Sequence, residues 1–274
     1  MIFRLFYLVD CSDPMTNSCG LMSACRFLQK PIFPFVAHSN DFAVNGRLAV
    51  GDEEREWVMS TLGKLGSGFW EVWGPSTTVE VNQLCIVIQH VCDFTIVVES
   101  HVQGRWMPRT FTEIIDQRNF VQHSLMSLQT KQELVDSHSA IDEPLYECCR
   151  LAVIVYSFLI IFPLPPVEGP FEALAAQLQA DWIATGLDRP TESRFRILLW
   201  ILVMGAIAAI GLPERPWFLS QIRALSWQMG IGDWEETKDV LQSFLWLPSA
   251  SDLDGQDLWI EMLSDWCLGV PRDA

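Results

Sequence analysis

Residues 197–218, ILLWILVMGAIAAIGLPERPWF, carry no charge over their first seventeen positions and turn polar at Pro213. Such a run is either a membrane span or a helix buried inside a folded domain. A span needs about 20 consecutive apolar residues, and this one reaches seventeen only by counting its terminal proline. Basic anchors are sparse, with Arg194 and Arg196 before the run and Arg215 after it. No Lys/Arg-rich loop supplies the asymmetry that orients spans. The neighbouring uncharged run 151–167, LAVIVYSFLIIFPLPPV, loses its last third to Pro163, Pro165 and Pro166, and proline ends a helix by removing a donor and clashing with the preceding turn. Both runs therefore read as core helices.

Clear punctuation surrounds them. One helix spans Leu145 to Phe162, and a second spans Phe171 to Thr185 between Pro170 and Gly186. Thr191 is the expected cap of the long apolar helix, which stops at Gly211 and Pro213. Pro216 to Met229 is closed by Gly230, and Asp233 with Glu236 gives a capping-box signature for Trp234 to Leu245. A last helix runs from about Gln256 to Leu268. Six helices on short turns describe an antiparallel array. Gly205, Ala206, Ala208 and Ala209 thin one side of the long helix so that a neighbour can approach, and eight of the twelve tryptophans, from Trp182 to Trp266, supply large surfaces to pack around it.

The first half is less regular. Thr110 with Glu113 forms a second capping-box signature, for a helix from Phe111 to about Leu128, and DEEREWVMSTLGKLG suggests an amphipathic helix near Asp52 to Leu65. VEVNQLCIVIQHVCDFTIVVES, from Val79, has the β-branched content of strands but the unbroken length of a helix, and reads as helix. Gln129 to Glu143, polar and rich in Ser and Asp, reads as a soft region.

With 274 residues, half of them apolar, the chain can bury the core of one large domain or two small ones. Its 18 Lys and Arg face 34 Asp and Glu, a net charge of −16. Nucleic-acid affinity rests mainly on neutralising phosphates, so DNA is not expected as a direct partner. The N-terminal MIFRLFYLVDCSD is a poor signal peptide. The eight cysteines then read as reduced thiols of an intracellular protein.

No constellation for catalysis is complete. GKLGSGFW and MGIGDW lack the spacing of a phosphate loop, and DLDGQDLWIEM places Gly255 two positions early for a calcium loop. Cys85, His90 and Cys92 could supply three metal ligands, but no CxxC pair accompanies them, and Cys148 next to Cys149 is not a ligand spacing. Cysteines on apolar stretches are usually buried small hydrophobes. GxSxG and HExxH are absent. The expectation is a non-enzyme with no catalytic, cofactor-binding or metal residues and no cofactor.

Four blocks occur in order: RNFVQHSLMSL (118–128), ECCRLAVIVYSFLIIFPLPP (147–166), LLWILVMGAIAA followed by RPWF, and MGIGDWEETKDVLQSFLW. Together they resemble the C-terminal regulatory region of fungal-specific transcription factors, the helical domain that usually follows a binuclear zinc-cluster DNA-binding module. The resemblance covers Arg118 to Trp266. It implies an all-α, multi-helix antiparallel array of the fungal transcription factor regulatory type over residues 106–274; residues 1–105 match the family poorly and are expected, from their own pattern, to be a helical N-terminal part of the same domain. It also implies a transcription-regulatory (effector) role in the nucleus, with partners in the transcription machinery or a homodimer partner and no membrane. The family's zinc cluster is a six-cysteine run with CxxC pairs in a basic context, whereas Cys11, Cys19 and Cys25 are widely spaced here. Any DNA contact would then come from a module absent from this chain, through degeneration or a gene model that begins downstream. A degenerate helical interaction or dimerisation protein and a small membrane protein are the alternatives.

From Asp239 to Pro271 there are six acidic residues and no Lys or Arg, interleaved with Trp246, Trp259 and Trp266. Acidic-aromatic composition of this kind occurs in activation segments. An amphipathic closing helix with its acids in water and its apolar side on the bundle is the stronger reading. The recognition role requires that some of Trp234, Trp259 or Trp266 be exposed.

Overall fold

The 197–218 stretch becomes two helices joined by a turn. The computed structural model describes residues 17–38, 52–73, 78–105, 110–136, 145–164, 170–186 and 194–269. Among them the chain is all-helical, with no strand. In chain order the helices are α1 (Asn17–Arg26), α2 (Asp52–Leu62), α3 (Ser67–Trp73), α4 (Val79–Val102), α5 (Phe111–Ser127), α6 (Lys131–Asp136), α7 (Leu145–Ile160), α8 (Phe171–Thr185), α9 (Phe195–Ala208), α10 (Arg215–Met229), α11 (Trp234–Leu241) and α12 (Pro248–Gly269).

Helix α9 is the centre. Every residue from Ile197 to Ala208 is buried, and α3, α7, α8, α10, α11 and α12 all pack against it. Its 14 residues span roughly 21 Å at 1.5 Å per residue, short of the roughly 30 Å hydrocarbon layer. It starts at Phe195 after Arg194, which makes no side-chain cap; Thr191, the expected cap, lies outside the described residues. The small residues do what their size allows. Gly205 faces the Phe218 ring of α10, and a Cβ added there would lie 2.6 Å from Phe218 Cζ.

Local chemistry explains the boundaries that match expectation. Helices α8 and α10 end at Gly186 and Gly230, whose φ of 67° and 68° is the left-handed conformation that glycine adopts without strain. Helix α5 carries the full Thr110–Glu113 capping box. Helix α4 runs unbroken for 24 residues from Thr78, whose side chain accepts from Val81 N–H, and its buried stripe packs against α5 and α7. It is the one described helix long and apolar enough to cross a bilayer, and 61% of its most apolar window is buried inside the fold.

Other boundaries differ. Helix α11 stops at Leu241, not Leu245, because the carbonyls beyond it serve other partners. Gly68 N–H donates to Ser243 O at 2.7 Å, Gly66 N–H to Phe244 O at 3.1 Å, and Trp200 Nε1 to Leu245 O at 2.9 Å. Helix α12 begins at Pro248, eight residues before Gln256, with proline in the first turn where its missing N–H costs nothing. Helix α2 ends at Leu62, and the glycine-rich turn after it leads into α3. The soft region 129–143 contains α6, capped reciprocally by Thr130 and Glu133; residues 137–144 lie outside the described residues.

Candidate interaction surface

The Cys85, His90 and Cys92 trio does not assemble. Cys85 and Cys92 stand two turns apart on the buried stripe of α4, while His90 is half-buried with its ring edge-on to Phe120 at 5.2 Å. Burial pushes the Cys85 thiol up to about 11 and raises Cys92 further; burial likewise lowers His90, partly offset by the Asp93 charge. Cys148 and Cys149 are buried in α7 and form no disulfide. No group of three His, Cys, Asp or Glu placed to hold a metal occurs among the described residues. GKLG is a turn that leads into α3, which contains Gly68, and MGIGDW is the turn between α10 and α11; DLDGQDLWIEM is helical, with Gly255 inside α12 because the Trp246 ring lies 2.9 Å from where its Cβ would be.

The block beginning at Arg118 forms a buried polar strip on α5: Asp116, Arg118, Asn119 and Gln122. Asn119 Oδ1 accepts from Arg118 Nε at 3.2 Å and Nη2 at 3.0 Å, and the guanidinium lies 4.9 Å over the Phe162 ring. His38 N–H donates to Asp116 Oδ2 at 2.8 Å, and its Nδ1 lies 2.9 Å from Oδ1. Burying such groups requires partners, so this strip ties the 31–38 segment and α5 to the core. A cleft of about 300 Å³ opens between the end of α2 and residues 242–248. Ser60 there donates to Trp57 O, Lys64 to Asp239, and Trp246 Nε1 to Asp252.

Five tryptophans, Trp73, Trp182, Trp200, Trp246 and Trp259, are core. Trp200 stacks on Phe244 at 5.9 Å and Trp246 is fully buried beside half-buried Trp234, 6.0 Å away. Of the anchors expected from sequence, Trp234 is half-buried and Trp259 buried, while the Trp266 side chain lies outside the described residues. The most exposed tryptophan among the described residues is Trp227, at 83%, with Trp70 at 50%. The 3.6-residue period could have found it: Phe218, Ile222 and Leu225 form the buried stripe of α10, and Trp227 falls off it beside exposed Ala224 and Gln228.

The outer side of α12 completes the surface. Its inner face, Ser251, Gly255, Leu258, Trp259 and Met262, is buried. Arg215 forks onto Glu261 at 2.9 and 3.0 Å, Lys238 pairs with Asp252 at 2.5 Å, and Arg223 donates to the Met262 carbonyl. These contacts fix the helix against α10 and α11 and leave Leu253, Asp254, Asp257, Ile260 and Leu263 exposed. Trp227 sits one turn beyond Arg223 on α10.

No family profile, curated protein or solved structure matches this chain. Functional inference therefore rests on the residues and on a geometry suited to binding: a rigid helical scaffold presenting aromatic and aliphatic side chains among carboxylates.

Proposed function

We propose that this chain is the transcription-regulatory (effector) domain of a fungal-specific transcription factor type, acting in the nucleus through protein partners, without a DNA-binding module of its own and without catalysis. The observation that carries the reading is the ordered set of family-like blocks between Arg118 and Trp266. The all-helical architecture is compatible with it, and a net charge of −16 argues against direct DNA binding. The test fuses the full chain to a heterologous DNA-binding module and reads a reporter in a fungal host. Altered transcription, lost in a folded Trp227→Ala or Trp234→Ala variant, is the expected result. A stable, nuclear and silent fusion across growth conditions would overturn it.

Exposed Trp227 equally favours a second reading, a helical interaction protein with no transcriptional role. A silent fusion that still captures a partner through Trp227 would select it. Both readings require the chain to appear in a detergent-free extract.

A further inference from the structure

Helix α12 has two apolar faces, and the described residues cover only one. On the outer face Leu253 is 77% exposed, Ile260 60% and Leu263 41%. Leu253 and Ile260 are seven residues apart, so they stand on one line about 10 Å apart, with exposed Asp257 between them and Asp254 alongside. The neighbouring helices supply a cation for Asp252 and for Glu261. Asp254 and Asp257 form no ion pair among the described residues. Partial burial, and then the like charge of Asp257, hold the Asp254 carboxyl above its ordinary range although the Arg215 charge pulls it down, so a further cation would relieve the pair.

We propose that the outer face of α12 docks a basic amphipathic helix of another protein, with aliphatic residues at i and i+7 on Leu253 and Ile260 and Lys or Arg against Asp254 and Asp257. An apolar helix face reads a partner through anchors at this spacing. Charge selects the occupant. A second copy meeting this face about a twofold axis would bring the same carboxylates onto each other, and nucleic acid or an anionic membrane is repelled by the same field. The inference deepens the proposed function by giving one surface its partner chemistry, and its test reads binding rather than transcription.

The probe is a fluorescein-labelled Leu/Lys peptide of roughly 18 residues, or five turns, with leucines at helical i, i+3, i+4 and i+7 spacing. It is titrated with the full chain at about 0.15 M salt, where weak surface pairs are screened. Micromolar binding is expected, and a scrambled peptide of the same composition should bind at least about tenfold more weakly, because it loses the apolar stripe. Leu253→Ser with Ile260→Ser should weaken binding by about tenfold or more. Asp257→Lys should weaken it and flatten its salt dependence. Trp70→Ser, at an exposed site on α3, should change nothing. All these positions are exposed, so melting curves should match wild type and keep the result interpretable. Equal binding of the scrambled peptide, or affinity unchanged in the Leu253/Ile260 variant, would overturn the proposal. So would a dimer in solution that the same variant splits, because the occupant would then be a second copy. An active reporter fusion with no peptide binding would sink this inference alone, and a silent fusion with site-specific binding would sink only the transcriptional reading.

Discussion

Gly205 shows how much a single position can carry. Any Cβ there enters the space of the Phe218 ring, which is itself fully buried and has no room to retreat. Gly205→Ala should therefore destabilise by about 1–3 kcal/mol, the usual cost of overpacking, although alanine is the better helix former. Thermal melts check it. Phe218→Leu in the same chain should recover part of the loss, because contacting residues couple. An unchanged melting temperature in the Gly205→Ala variant would remove this helix contact from the core. The position was legible in sequence because glycine and alanine cluster on one stretch of an apolar helix. Gly255 was not: in DLDGQDLW it looks like a loop residue, and only the convergence of the Trp234 and Trp246 rings explains a glycine inside α12.

Elements were read best where their signal is local. Capping boxes, flanking prolines and closing glycines gave α5, α8 and α10 nearly to the residue, and unbroken length decided α4 against its β-branched content. Boundaries set by tertiary hydrogen bonds were not legible; α11 ends where Ser243, Phe244 and Leu245 turn their carbonyls to α3 and Trp200. Helix α6 was hidden by its polar composition although Thr130 and Glu133 carry the same cap pattern as Thr110 and Glu113. What holds α6 in place is a buried fork: Arg150 donates to Glu147 through Nε at 2.9 Å and Nη2 at 2.7 Å, and Glu147 Oε2 accepts from Lys131 N–H at 3.1 Å. Burial works to lower the Arg150 pKa, but the Glu147 hydrogen bonds and charge more than offset it, so the net direction is up. Arg150→Met strands a buried carboxylate and should cost about 3–5 kcal/mol. Adding Glu147→Gln, which keeps an acceptor for Lys131, should recover most of that in chemical denaturation. A double variant no better than the single would show that the fork contributes more than neutralisation.

At the scale of the molecule the described thiols are hidden. Five of the eight cysteines, Cys25, Cys85, Cys92, Cys148 and Cys149, are buried and in no disulfide, so native labelling at pH 8 should reach at most three. Burial raises Cys25 to about 12 and Cys85 to about 11, with Cys92 and Cys148 pushed up further. An unfolded thiol ionises near 8.5, so the native state keeps protons that the unfolded chain has lost. The contribution is complete below that value and declines as pH rises towards the native values, by about 1.4 kcal/mol per pH unit for each thiol. Denaturant midpoints should therefore fall steeply between pH 9 and 11 while m-values hold. A flat profile, or four or more thiols labelled in the native protein, would contradict this packing.

The blocks that suggest function begin at Arg118, but the core does not. Arg118 lies in the middle of α5, so a chain cut there loses the capping box at Thr110 and half the helix. It also loses Phe69, which packs edge-on to Trp200 at 5.2 Å and to Phe244 at 5.1 Å. Helix α4 goes too, with the Thr95 hydroxyl 3.0 Å from Tyr156 Oη and Glu99 Oε2 accepting from Ser249 Oγ. Those partners sit on α7, α9 and the start of α12, so the deletion opens the centre of the array rather than trimming an edge. The full chain should melt in one cooperative transition. The 118–274 fragment should keep some helix by far-ultraviolet dichroism, bind a hydrophobic dye and melt without a sharp transition, as chains do when packing fails but local helix persists. Residues 1–117 supplied as a separate chain should restore a cooperative melt, because the lost contacts are between helices and need no covalent link. A fragment that melts cooperatively at the full-chain temperature would instead make the first half an accessory, and only then would a reporter fusion beginning at Arg118 test function rather than folding.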